Sequence, residues 1–263
     1  MAPRIGFIGI IQNELADDPE ETLVWVAELG IDGMEGAASL AGELGISVSE
    51  TRQKLERLGL KVPVQGRVGA DQNDDEIRTV LSTARDIGAP YVVDYYAPFK
   101  DRDGILRYAE FAGRVGRMCE EEGLGFLYHN HNHEMRFHDG ELGIDIFLAN
   151  TDGSLVNVEL DIGWVAFGGA DPVSLIRNHP GRFPVLHMKD FDHFPDRSAD
   201  SDEARKEAIF AEVGTGAVNT KAVVEVAIGA DTEWLVIEQD RMNKLEPKAS
   251  LETSYRNLRR MIG

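Results

Sequence analysis

Short continuous apolar runs recur along this chain and alternate with amphipathic stretches of roughly ten to twenty residues. Runs of this kind read as strands buried on both faces, and their alternation with helical periodicity is the βα signature. They fall at 4–10, 31–35, 61–65, 90–95, 124–130, 155–161, 183–189 and 233–238. Between them, apolar residues recur at helical spacing over Glu20–Leu29, Asp74–Ile87 and Ile105–Glu122. Ser47-Val-Ser-Glu50 spells a capping box that opens a helix ending near Leu58. Asp171-Pro172 sets an N-cap before a proline at the first helical position, and a terminal helix is expected from about Pro247 to Met261. Eight βα units in 263 residues predict one α/β domain over 1–263, a single (β/α)8 TIM barrel. A highly charged insert at about 192–212 stands between the seventh strand and its helix, on the face where barrels carry their chemistry. It is expected to be a lid or solvated decoration.

Composition narrows the partners. The formal net charge of −19 repels a polyanion, so no nucleic-acid partner is expected. No apolar run approaches the ~18–20 residues that span a bilayer, so no membrane partner is expected either. The stretch Ile5–Ile11 is too short for a signal sequence and reads as the first strand. A single cysteine, Cys119, rules out an internal disulfide and fits a cytoplasmic location. Cys119 itself reads as a small apolar residue in a helix.

The candidate chemistry sits at strand ends. Leu155-Val-Asn-Val-Glu-Leu-Asp161, Phe183-Pro-Val-Leu-His187 and Trp234-Leu-Val-Ile-Glu238 each end on an acid or imidazole. Leu124-Gly-Phe-Leu-Tyr128 opens directly into His129-Asn-His-Asn-His-Glu134. Strand C-termini converge on one rim of a parallel barrel, so these residues can surround one metal ion. Two hard oxygens and an imidazole suit Mn²⁺, Co²⁺, Mg²⁺ or Zn²⁺ and not a thiolate site. Taken singly, each has a plainer role as a helix cap or a satisfied core residue. Alternation along a strand allows at most two of His129, His131 and His133 to point into one site.

Together with Asp161-Ile-Gly-Trp164, Gly168-Gly-Ala-Asp-Pro172, Gly181-Arg-Phe-Pro-Val-Leu-His-Met-Lys-Asp190, Val213-Gly-Thr-Gly216 and Val236-Ile-Glu-Gln-Asp240, these segments resemble the sugar phosphate isomerase/epimerase family of the xylose-isomerase-like TIM-barrel superfamily. The likeness runs from the first strand to the last helix and is strongest from 124 to 240. It implies one divalent metal, Mn²⁺ first, held by Glu, Asp, His and Glu from the last four strands. The last three fall on Asp161, His187 and Glu238. Tyr128 stands where the first is expected, and Glu134, six residues on, is assigned in its place, with His131 and His129 as rivals. The resemblance also implies substrate contacts at His129, Trp164, Lys189, His193 and Glu35, with Lys189 either polarising a carbonyl or pairing with Asp190. Arg182 is expected to stabilise the fold. Gly214 and Gly216 mark a tight turn.

A metal so held implies an isomerase or epimerase that acts on a keto-sugar or cyclitol through a metal-stabilised enediolate. Glu238 is the first choice of base, with Glu134 or His131 facing it across the substrate. Expelling a β-oxygen from the same enolate gives the alternative, a lyase on inososes or 3-keto-glycosides. A non-catalytic sugar-binding protein is the third reading. Relatives with this resemblance are often homo-oligomers, although no interface patch is legible in the sequence.

Overall fold

A computed structural model describes residues 2–194 and 205–263. Eight parallel strands, β1 (Arg4–Ile8), β2 (Gly33–Met34), β3 (Val64–Arg67), β4 (Tyr91–Asp94), β5 (Gly125–His129), β6 (Val156–Asp161), β7 (Val185–Met188) and β8 (Trp234–Glu238), form one sheet. Its order is β2-β1-β8-β7-β6-β5-β4-β3. The ends meet where Gly33 bridges Lys61, with Met34 N donating to Lys61 O at 2.9 Å and Gly36 N to Val64 O at 3.0 Å. This closes a (β/α)8 barrel. Closure depends on a missing side chain. A Cβ on Gly33 would lie 2.3 Å from Lys61 O and 2.9 Å from the Trp234 ring.

The expected strands are present but shorter than their apolar runs, because flanking apolar residues are buried without joining the ladder. The third is shifted from 61–65 to Val64–Arg67, since Pro63 has no N–H to give a neighbouring strand. Helices follow at Pro19–Leu29, Val48–Arg57, Asp74–Ile87, Arg102–Glu121, Pro172–Asn178, Thr220–Gly229 and Pro247–Ile262. The capping box at Ser47 and Glu50 forms as read, and Asn73 with Glu76 makes a second. Helix Arg102–Glu121 starts before the apolar periodicity does, because the Asp101 side chain accepts from Gly104 N at 2.7 Å and caps it.

Strand alternation divides the barrel into layers. Val64, Val93, Leu127, Val185, Trp234 and Val236 plug the interior. The next inward positions toward the strand C-termini are polar and carry the candidate site. Outward positions pack under the helices, among them Phe126, Tyr128 and Ile237. The charged insert lies partly in residues 195–204, outside the described residues. Of its flanks, Phe210–Ala211 pairs antiparallel with Asp190–Phe191.

Candidate active site at the barrel rim

Four side chains from the last four strands meet at the C-terminal rim. One ligand atom each from His129, Asp161, His187 and Glu238 lies within 4.8 Å of all the others. Register brings them together: Asp161 pairs with His187, His129 with Glu159, and Val236 with His187. Asn130 ties β5 to β6, its Oδ1 accepting from Asp161 N at 2.9 Å. Asp161 Oδ1 caps the helix Ile162–Phe167 by accepting from Trp164 N at 2.8 Å. Its Oδ2 is paired with Lys189 Nζ at 3.1 Å and, among the described residues, accepts no aligned hydrogen bond.

A second acidic layer lies just below. Glu159 and Glu35 are both fully buried and flank His187 Nε2, at 3.3 and 2.9 Å. Tyr95 donates its hydroxyl to Glu35 at 2.7 Å. Burial, then the neighbouring Glu159, pushes Glu35 up to about 7. Burial also opposes ionisation of Glu159, but His187 and His129 overcome it and hold Glu159 down at about 2. Lys189 Nζ stands 3.1 Å from Asp161, 3.0 Å from Glu238 and 3.1 Å from Asp240. Burial disfavours its charge, yet these three carboxylates outweigh that and keep it cationic. Glu238 is held ionised in turn: burial resists, and Lys189 with His187 prevails.

These residues fit a divalent cation. Glu35, Glu159, Asp161, Glu238 and Asp240 gather around one ammonium and two imidazoles. Glu35, Glu159 and Asp161 are buried, Glu238 is half-buried and Asp240 is exposed, and a low-dielectric interior tolerates buried charge only when it is paired. Among the described residues Asp161 Oδ2 and Glu159 Oε1 accept no aligned hydrogen bond and face only charged neighbours, Lys189 Nζ at 3.1 Å and His187 Nε2 at 3.3 Å. Mixed oxygen and imidazole donors suit Mn²⁺, Co²⁺ and Zn²⁺.

Several expectations change. Glu134 is not brought to the quartet. It accepts from the Tyr128 hydroxyl and, at 2.9 Å, from His131 N, with His133 Nδ1 at 3.3 Å. The reason is strand parity. Tyr128 points outward into an aromatic cluster with Phe99, Tyr108 and Phe147, so the inward strand-end residue is His129. His131 stays beside the site, its ring 5.2 Å from that of His129, whereas His133 turns away and bonds Ala97 O at 2.8 Å. Lys189 joins the site carboxylates. Asp190 instead accepts from the backbone N–H groups of Phe191, Gly214, Gly216 and Val218. Trp164 is no open platform: it is buried against Phe167, Phe191 and Phe210, with the Arg205 guanidinium 4.9 Å over its ring. His193 is exposed beside Asp192 and does not reach the quartet. Arg182 does hold the fold, donating to Leu148 O, Thr151 Oγ1 and Val156 O. Sequence reading passed over Glu159, Asp240 and Tyr95. Parity was the available signal for two of them, since Glu159 lies two before Asp161 and Asp240 two after Glu238.

Comparison with known proteins agrees with this architecture. The model of the xylose isomerase-like TIM barrel family matches residues 23–261, and the chain belongs to that family. An inosose dehydratase from Geobacillus kaustophilus (strain HTA426) is 27% identical over 261 residues, covering 84% of this chain and 80% of that protein. A sugar phosphate isomerase/epimerase from Parabacteroides distasonis ATCC 8503 has the same fold, with a TM-score of 0.77 at 19% identity over 100% of this chain and 96% of that one. The IolI protein, solved with a bound zinc atom, gives a TM-score of 0.75 at 15% identity over 98% of both chains. The family resemblance read from the motifs is borne out. Among the described residues no helix is long and apolar enough to cross a membrane.

Proposed function

We propose that this protein is a divalent-metal-dependent lyase that eliminates a β-oxygen from a cyclic polyol ketone of the inosose or 3-keto-glycoside class. The observation that carries this reading is the rim quartet His129, Asp161, His187 and Glu238 with Lys189 set among its carboxylates. The dehydratase among the relatives supports elimination over the isomerase or epimerase expected first from sequence. All of these reactions share an enolate and differ in where the proton and the β-oxygen go.

A cavity of ≈ 500 Å³ borders the second acidic layer at Glu35, between Gly9–Ala16 and Gly36–Glu43. Gln12, Asn13, Ser39 and Glu43 offer it hydrogen-bonding groups over a floor of Phe7, Leu15 and Leu40. Among the described residues no Lys or Arg lines it, so it suits a neutral polyol.

His129, Asp161, His187 and Glu238 would hold a divalent ion, Mn²⁺ by preference, which would supply Lewis-acid polarisation of the substrate carbonyl. Glu238 is the least buried quartet member and is ionised, so it takes the proton from the carbon next to that carbonyl. Lys189 keeps a positive charge where the carbonyl oxygen gains electron density. When the carbonyl re-forms, the β C–O bond breaks and the oxygen needs a proton. His131 is placed to relay it, because its Nδ1 is buried with no hydrogen-bond partner among the described residues. Burial, then the neighbouring His129 and Lys189, pushes this imidazole down to about 2, so it stays neutral and relays a proton only by taking one on one ring nitrogen as it gives up the N–H of the other. The net change is loss of one C–H and one C–O bond, with water or an alcohol released and no redox step. A small-molecule substrate and a cytoplasmic setting belong to this reading.

The test is incubation of Mn²⁺-loaded protein in D₂O with an inosose, a 3-keto-glucoside and free ketoses, followed by mass spectrometry and by proton NMR after metal removal. Loss of water or aglycone supports the lyase. Deuterium uptake without loss of mass selects the epimerase or isomerase instead. No exchange in any ketone rejects enolate chemistry at this site.

A further inference from the structure

The four ligands do not explain why a carboxylate, Glu159, is buried beneath them with no solvent contact. It lies on the inner face of β6, two residues before Asp161, where the neighbouring layer of the barrel is apolar. Glu159 Oε2 stands 3.1 Å from His129 Nδ1, while His129 Nε2 faces the quartet, 3.9 Å from Asp161 Oδ2. Glu159 Oε1 stands 3.3 Å from His187 Nε2, while His187 Nδ1 faces the quartet, 2.8 Å from Glu238 Oε2. Glu35 Oε2 approaches the same His187 Nε2 more directly, at 2.9 Å. One carboxylate therefore touches the ring nitrogen that points away from the quartet in both histidines.

A neutral imidazole carries one N–H, and the partner of one nitrogen decides whether the other has a free lone pair. An ionised carboxylate can only accept. Glu159 therefore favours a proton on His129 Nδ1, which turns the Nε2 lone pair toward the quartet. Glu35 and Glu159 favour a proton on His187 Nε2, while Glu238, 2.8 Å from Nδ1, competes for one there until a cation occupies the quartet and takes Glu238 as its own ligand.

We infer that Glu159 is a positioning residue that sets the tautomer of His129 and, with Glu35, that of His187, and so tunes the affinity of the rim for its metal. This rests on the metal-dependent reading above. It also accounts for the strand-end position at β5: a neutral imidazole is the ligand there, and its anionic charge sits one strand over and one layer down. Among the described residues Glu159 Oε1 meets no donor besides His187 Nε2, 3.3 Å away.

The experiment compares Glu159→Gln with wild type by calorimetric titration with Zn²⁺ and Mn²⁺, and reads histidine tautomers by ¹⁵N NMR of the Zn²⁺-loaded protein. Removing such a partner weakens metal binding by about 10–100-fold. The expected result is a loss of that size in Glu159→Gln, with wild-type His129 protonated at Nδ1 and His187 at Nε2. Glu35→Gln should disturb His187 alone. Wild-type affinity in Glu159→Gln, or His129 protonated at Nε2 in the wild type, overturns the inference. If Glu159→Gln does not fold, the wild-type spectrum decides. A wild type that binds neither metal defeats the metal-dependent reading itself, a different outcome from unchanged affinity in the variant.

Discussion

At the scale of single residues, one step along a strand decides which side chain meets the site. Tyr128 and His129 are adjacent, yet one is wedged among aromatic rings under the helices and the other faces the quartet. Glu134 belongs with Tyr128: it receives the phenol and the His131 amide and is wholly buried. Two substitutions separate these roles. Glu134→Gln keeps one acceptor, for the His131 amide, and must turn an N–H toward the Tyr128 oxygen, so it should leave Mn²⁺ affinity within about twofold of wild type while costing on the order of 1–2 kcal/mol of stability. Glu238→Gln should do the reverse, keeping the fold but lowering affinity at least about tenfold and abolishing ketone exchange. Titration calorimetry and urea unfolding on both proteins check this. A tenfold loss of affinity in Glu134→Gln would return that residue to the ligand set.

At the scale of elements, each strand ends on a side chain whose setting follows from the barrel layer it occupies. Asp94 ends β4 and is fully buried, accepting from Tyr108 Oη at 2.9 Å and Tyr96 N at 3.1 Å. Burial pushes its carboxyl up to about 6, against the pull of these bonds and of Arg67. A folded-state value above the unfolded one means that the native state favours the protonated acid. That contribution is complete below about pH 4 and is lost as pH rises through about 6. Asparagine keeps the acceptor for Tyr96 N, turns an N–H toward the Tyr108 oxygen, and has no charge to bury. Asp94→Asn should therefore gain on wild type by roughly 2–3 kcal/mol between pH 4 and pH 7.5. Paired urea melts at the two values read this difference directly, and a gap that does not widen with pH refutes it.

For the whole molecule, the barrel concentrates negative charge at one rim. A chain with a net charge of −19 places three carboxylates around Lys189 and two more against His187 there, charge that a bound cation would balance. Ligand that binds only the folded state stabilises it by about 2.7 kcal/mol at a hundredfold excess over Kd. For a domain of this size that corresponds to a rise in Tm on the order of 5–10 °C. Differential scanning fluorimetry with Mn²⁺, reversed by EDTA, measures it. An unchanged Tm at saturating metal removes the cation from the site.

The sequence by itself determined the barrel, because eight apolar runs between amphipathic stretches can bury their faces in few other ways. It also marked Asp161, His187 and Glu238, since each stands at the end of a run and strand ends share a rim. Tertiary structure alone decided the rest. Inward and outward parity at β5 depends on where the ladder with β4 and β6 begins, and a run such as Tyr128–Glu134 carries candidates on both parities. Glu159 and Glu35 lie on strands distant in sequence, and only barrel closure brings both to the same nitrogen of His187. Local pattern fixes which way a strand is buried; the partner across a closed barrel is fixed by register, which no single segment contains.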